Sequence, residues 1–144
     1  MSAPRRPDPT PPIVFANPAD GYSPGACNIG PWEIRRRRAF GVAGFIAAAV
    51  VLAGLVIVGA PAPARLLVLL PAWGGALSWL QARRRFCAAF AMAGISNFAD
   101  GDEGRQAVAD PEARKADARA VMRLTRDSFL VAVAVTAVAV LLPV

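Results

Sequence analysis

The apolar residues of this chain are gathered into three uninterrupted stretches instead of being spread through amphipathic patterns. The stretches cover residues 39–60, 66–81 and 128–144, and none of them contains Asp, Glu, Lys, Arg or His. Long uncharged runs of this kind are typical of helices that cross a bilayer. The pattern therefore predicts an all-α integral membrane protein with a helical hairpin, a third transmembrane helix and a disordered N-terminal tail.

Local signals define the hairpin. Pro31 and Glu33 suit the first turn of a helix, which we expect to run to about Gly59. The prolines within residues 61–65 predict the turn. The second stretch is short and contains Pro71, so it predicts a kinked span, with a re-entrant half-span as the alternative.

The remaining segments complete the predicted domain plan. Residues 86–98 predict either a continuation of the second helix or an interfacial helix. The sequence Asp110-Pro111-Glu112 predicts a capped helix that continues without a break into the third span. The plan is a Pro-rich cytoplasmic tail at 1–26, a hairpin with an interfacial extension at 27–98, a polar loop and charged helix at 99–127, and a transmembrane helix at 128–144.

Arginines border the apolar stretches on one side, which predicts the orientation of the chain. Arg65 stands alone on the opposite side. Positively charged residues near span ends favour the cytoplasmic face and contact lipid head groups, so the N-terminus is expected inside and the C-terminus outside. The arginines on the cytoplasmic side are Arg35, Arg36, Arg37, Arg38, Arg83, Arg84, Arg85, Arg119, Arg123 and Arg126.

Two other interpretations of the basic residues are weaker. The net charge of +6 does not indicate nucleic-acid binding, because the arginines adjoin apolar spans and the polar loop carries both signs. Arg37 and Arg38 before an apolar run also resemble a twin-arginine export signal. The run is longer than the 7–15 residues usual for a signal peptide.

Candidate chemistry is confined to two cysteines, Cys27 and Cys87, and the chain has no histidine. The ends of a hairpin meet, so both thiols are expected near the arginines, an environment that favours thiolate redox chemistry or soft-metal binding. The alternative is two small buried hydrophobic side chains in a reducing compartment. No catalytic residue, cofactor site or small-molecule substrate is indicated.

Helix packing is the other candidate role. Gly74, Gly75 and Ser78 form a smooth face on the second span, which allows close helix contact in lipid. Three thin helices bury little surface within one chain. Association with other membrane subunits, or self-association, is therefore expected.

Three short segments carry a resemblance. Residues 27–34 and 80–87, with Asn97 and Phe98, resemble segments of small uncharacterised bacterial inner-membrane proteins. The resemblance implies a bacterial inner-membrane location and carries no activity. We expect a non-enzymatic accessory or assembly subunit of a larger membrane complex, and the alternative is a cytoplasm-facing thiol redox or soft-metal-handling protein that uses Cys27 and Cys87.

Overall fold

The computed structural model describes residues 21–101 and 104–143, and most of them are helical. The helical class agrees with the prediction, although a two-stranded sheet is added to it. In chain order the elements are α1 (Pro31–Ile57), a 3₁₀ helix (Ala62–Val68), α2 (Leu69–Arg84), α3 (Ala88–Ala93), β1 (Ile95–Asn97), β2 (Arg105–Ala107) and α4 (Pro111–Leu141).

Two helices among the described residues, α1 and α4, are long and apolar enough to cross a membrane. Their 27 and 31 residues extend about 40 and 46 Å, which exceeds the ~30 Å hydrocarbon layer. Helix α2 has 16 residues, or about 24 Å, and is not one of the two. A third crossing helix is thus not shown.

The ends of α1 follow from its sequence. Pro31 occupies the first turn, and Gly30 precedes it in an extended conformation without a side-chain cap. At the other end Gly59 adopts a positive φ of 66°. The amides of Gly59 and Ala60 donate to the carbonyls of Val56 and Leu55, which is the Schellman arrangement that ends a helix at glycine. The helix therefore ends at Ile57, slightly before the predicted Gly59.

Helix α4 begins and continues as predicted. The Asp110 side chain accepts hydrogen bonds from the amides of Glu112 and Ala113, both at 3.2 Å. The helix then runs unbroken to Leu141. Its buried positions recur every three or four residues and are mostly small, so one narrow face packs inward: Ala113, Asp117, Ala120, Leu124, Ser128, Ala132, Thr136 and Ala139.

The segment before α2 differs from the predicted kinked helix. Residues Ala62–Val68 form a 3₁₀ helix, and α2 starts at Leu69. Pro71 therefore lies in the first turn of α2, where proline breaks no intrahelical hydrogen bond. The expected kink is replaced by a change of helix type.

Helix α2 lies antiparallel to α1 and α4 and contacts both. Its crossing with α1 is close: a Cβ added to Gly44 would lie 2.5 Å from the Gly75 Cα, and one added to Gly75 would lie 2.9 Å from the Phe45 amide nitrogen. Gly41 similarly faces the Trp79 backbone. A Cβ on Gly74 meets nothing within 4 Å, and Ser78 is half-buried. Of the predicted packing face, Gly75 lies at the crossing and Gly74 does not.

Two expectations for the polar end are wrong. Residues 86–98 are not one helix, because α3 ends at Ala93 and Gly94 follows it with a φ of 68°. Strand β1 comes next and pairs antiparallel with β2. The predicted disordered tail also extends too far. Within 21–26, Tyr22 is 6% exposed, and Ser23 pairs with Cys27. The rest of the predicted tail, residues 1–20, lies outside the described residues.

Candidate functional site

The polar end of the molecule is here called the polar cap, comprising residues 21–38 and the described residues from 81 to 127. Asn28 joins three of its segments and is fully buried. Its side chain donates to the Cys87 carbonyl at 3.0 Å and accepts from the Cys87 amide at 2.7 Å. Its backbone amide donates to the Arg85 carbonyl, and its carbonyl accepts from Asn97. The N-terminal segment is thereby attached to both the end of α2 and β1.

Asn97 continues this network at the start of α1. Its carbonyl accepts from the Gly30 amide at 2.8 Å, and its side chain donates to the Gly101 carbonyl at 2.7 Å. A Cβ on Gly30 would lie 2.6 Å from the Phe98 carbonyl oxygen, so this contact requires glycine. The three segments that carry the resemblance in the sequence thus meet in one buried network.

The two cysteines lie in adjacent segments but have different partners. Both are free. Cys87 is fully buried, and its sulfur accepts a hydrogen bond from Arg37 Nη2 at 3.0 Å. Cys27 is half-buried, and its sulfur lies 3.9 Å from the Ile29 carbonyl oxygen. The part of the chain that the structure describes contains no group of three metal-ligating side chains.

Glu33 is a buried acid that the sequence presented only as a first-turn residue. It is 1% exposed, and its oxygens lie 3.6 Å from Arg36 and 3.7 Å from Arg37. Arg36 also lies over the rings of Trp32 and Phe40. These two arginines, expected to contact lipid head groups, are therefore partly neutralised within the chain.

A second buried acid holds the N-terminal segment against α4. Asp117 is fully buried and accepts hydrogen bonds from the Tyr22 hydroxyl at 2.8 Å and the Gly25 amide at 2.7 Å. Burial, together with the hydrogen bond to Asp117, raises the pKa of Tyr22 well above its ordinary value. The spacing of 95 residues between Tyr22 and Asp117 gave no local signal for this contact.

Other arginines of the polar cap divide into those that pair with a carboxyl group and those that do not. Arg84 bonds Asp127 at 2.6 Å, and Arg126 bonds the same carboxyl group at 2.8 Å. Arg123 lines a cavity of about 360 Å³ beside that pair. No ion pair joins Arg35, Arg38, Arg83 or Arg85 to a carboxyl group of the described residues, and these four arginines line one larger cavity.

Arg65 lies at the opposite end of the bundle and is 4% exposed. Its Nη1 donates to the carbonyls of Ala139 at 3.3 Å and Leu142 at 2.8 Å. A cation suits the C-terminal end of a helix, where carbonyls lack intrahelical partners. Arg65 therefore attaches the 3₁₀ helix to the end of α4.

Comparison of the chain with known protein families, with curated proteins and with solved structures finds no match.

Proposed function

We propose that the chain is a multi-pass protein of the bacterial inner membrane that acts as a non-enzymatic accessory or assembly subunit of a larger membrane complex. In this arrangement the polar cap lies in the cytoplasm, α2 with the 3₁₀ helix completes the hairpin, and the C-terminus lies outside. The asymmetry of the arginines supports this orientation, because Arg65 is remote from the arginines of the polar cap.

The observation that carries the proposal is the outward face of α1. Ile46, Val50 and Ile57 are 58%, 64% and 83% exposed, and only 11% of the most apolar window of α1 is buried. Large apolar surfaces of this kind are covered by lipid or by a partner. The buried polar groups of the cap are mostly engaged with one another, which suits a structural role.

Location and orientation are tested first. We expect the full chain to stay in the membrane pellet after carbonate washing. A periplasm-dependent reporter fused after Val144 should be active, and a cytoplasm-dependent reporter at the same place inactive. Release by carbonate, or the reverse reporter pattern, contradicts the proposal.

The partner is tested by photo-crosslinking in native membranes. A photoreactive residue at Val50 should give a defined crosslinked product that mass spectrometry identifies as another subunit or a second copy. The matched control is Ala48, which is 4% exposed and packs with Val68 and Ala72, and should crosslink only within the chain. Lipid as the sole product at Val50, and at Ile57 two turns later, contradicts a partner on α1.

The contact between Arg37 and Cys87 favours the second candidate, a thiol redox or soft-metal function. Reactive cysteines lie in electropositive surroundings, and Arg37 places a guanidinium 3.0 Å from the Cys87 sulfur. Under this alternative, the double variant Cys27→Ser, Cys87→Ser loses the thiol redox or metal-binding function, although the protein still accumulates in the membrane. Retained function in the double variant, with α1 crosslinks intact, excludes it.

A further inference from the structure

A cavity opens between the start of α1 and the end of α2, at the level of the polar cap. Its volume is about 690 Å³, and Gly30, Pro31, Ala82 and Phe98 form part of its wall. The remaining wall includes Arg35 and Arg38 from α1 and Arg83 and Arg85 from the end of α2. A cavity of this size lies within the range of small-ligand sites.

The cavity carries uncompensated positive charge. Among the described residues, neither Asp nor Glu lines it, whereas Arg36 and Arg37 face Glu33 and Arg84 faces Asp127. The amino end of α1 also borders the cavity and adds the partial positive charge of a helix N-terminus. A bound anion would relieve the mutual repulsion of these groups.

Arg85 occupies a backbone position that favours glycine. Its φ of 52° makes it the one non-glycine residue with positive φ among the described residues. The amides of Arg85 and Phe86 donate to Ala82 and Gln81, the same helix-ending arrangement that Gly59 makes at the end of α1. The chain therefore bears a strained conformation that places an arginine where glycine would be unstrained.

An apolar groove adjoins the cavity and identifies the kind of anion. It is shallow and open, and the described residues that line it all belong to α1: after the arginines at its start it passes the exposed side chains of Ala39, Val42, Ala43 and Ile46. It begins at Arg35 and Arg38, the same residues that line the cavity. A basic cavity continuous with an apolar groove matches a phospholipid, whose phosphate and acyl chain are joined, better than a free phosphate.

We propose that Arg35, Arg38, Arg83 and Arg85 bind the phosphate head group of an anionic phospholipid, one acyl chain of which lies along Ala39, Val42, Ala43 and Ile46. Guanidinium groups match phosphate oxygens through paired hydrogen bonds. Basic pockets between helices on the cytoplasmic side are suited to anionic head groups. Four guanidiniums favour a head group with two phosphates, such as cardiolipin, over one with a single phosphate. The site rests on the proposed membrane location but does not require a protein partner.

Binding is tested with the purified full chain in a nonionic detergent. Native mass spectrometry, with added cardiolipin, phosphatidylglycerol or phosphatidylcholine, measures the bound lipid. Arg38→Gln with Arg83→Gln should weaken cardiolipin binding about 10- to 30-fold, as expected when two arginine contacts to an anionic head group are lost. The matched control is Arg119→Gln with Arg123→Gln, which removes the same charge from exposed positions of α4 and should change binding less than about twofold. Equal losses in both variants would show diffuse attraction and overturn the site.

The acyl-chain groove is tested separately. Ala43→Trp fills the groove and should weaken cardiolipin binding, whereas Ala49→Trp, at another exposed position of α1, should not. Glycerol phosphate at equal concentration should not displace the lipid. Displacement by glycerol phosphate, or an unchanged affinity in Ala43→Trp, would assign the cavity to a free phosphate and overturn the lipid proposal.

Arg85→Gly separates binding from stability. Glycine relieves the positive φ, so the lipid-free variant should unfold at a temperature equal to or above that of the wild type. Its thermal stabilisation by cardiolipin should nevertheless be reduced. If cardiolipin stabilises Arg85→Gly as much as the wild type, Arg85 does not contact the lipid.

Failure of the lipid site is distinguishable from failure of the proposed membrane location. If carbonate releases the chain from membranes, the proposed location is wrong. If the chain is retained but the cavity variants bind cardiolipin normally, only the lipid site is wrong.

Discussion

Helix α2 packs against its two neighbours in different ways. Against α1 the backbones approach closely, because Gly41, Gly44 and Gly75 carry no side chain at the crossing. Against α4 the contact is made by side chains, with Trp73 donating to Ser128 at 3.2 Å and Arg84 pairing with Asp127 at 2.6 Å. Within a bilayer the hydrophobic effect does not hold helices together, so close packing and polar contacts are the available means. The α1 interface relies on close packing of glycines, whereas the α4 interface combines packing of Ala72 with Ala132 and polar contacts.

The largest expected effect comes from filling the α1–α2 crossing. Gly75→Leu would place side-chain atoms where a Cβ already lies 2.9 Å from the Phe45 backbone, so the helices must separate. We expect a loss of about 3 kcal/mol or more, as for severe overpacking, measured by thermal or denaturant unfolding in detergent. The control is Gly74→Leu, where a Cβ meets nothing within 4 Å, and its stability should not fall. Similar losses for both would contradict the close crossing.

The next effect tests the α4 interface at its far end. Arg65→Met removes the donor to the carbonyls of Ala139 and Leu142. Hydrogen bonds from charged groups contribute about 1.5–3 kcal/mol, so we expect a loss of about 2 kcal/mol in the same unfolding assay. Arg65→Lys keeps the charge but not the planar guanidinium group, so its stability should lie between those of the wild type and Arg65→Met. Wild-type stability in Arg65→Met would show that Arg65 does not hold α4.

A smaller effect concerns Asp117, which holds the N-terminal segment against the start of α4. Asp117→Asn weakens the acceptor for Tyr22 and Gly25, and we expect a loss of about 1 kcal/mol. Tyr22 is the only tyrosine in the chain, so phenolate absorbance during a pH titration reports its ionisation alone. In the wild type, Tyr22 should ionise at a higher pH than free tyrosine does. Asp117→Asn should lower the pKa of Tyr22.

The direction in which pH changes the stability of the fold follows from the raised pKa of Tyr22. The folded state binds the Tyr22 proton more tightly than the unfolded state, so the stabilisation is complete below pH ~10 and is lost as the pH rises further. A Tyr22 transition at the ordinary value would contradict the buried contact with Asp117.

The smallest effect tests the centre of the α4 interface. Trp73→Phe removes the hydrogen bond to Ser128 but retains a ring beside Phe129, whose centroid lies 5.4 Å away. Hydrogen bonds between membrane helices contribute about 0.6 kcal/mol on average, and we expect a loss of that size. In a double-mutant cycle, adding Ser128→Ala to Trp73→Phe should lower the free energy of unfolding by little more. Full additivity of the two losses would show that the side chains do not interact.

The local signals in the sequence were sufficient to predict where a helix begins, because that start depends on residues within the same helix turn. Pro31 with Glu33, and Asp110 with Pro111, predicted the starts of α1 and α4 because capping involves residues within one turn. The same signals could not show that Glu33 would be buried. The segment 86–98 was ambiguous, because a short apolar run lacks the periodicity that separates helix from strand. Its turn at Gly94 and pairing with 105–107 depend on residues farther along the chain.

The sequence by itself determined that the chain has long apolar helices and that arginines collect at one end, because both are properties of consecutive residues. Only the tertiary structure decided which arginines remain unpaired and which glycine lies at a crossing. Gly74 and Gly75 are adjacent and chemically identical, as are Arg84 and Arg85. Gly74 and Gly75 differ because neighbouring residues on a helix point about 100° apart, whereas Arg84 and Arg85 differ because α2 ends between them. Their partners, such as Asp127 and Gly44, come from distant parts of the chain.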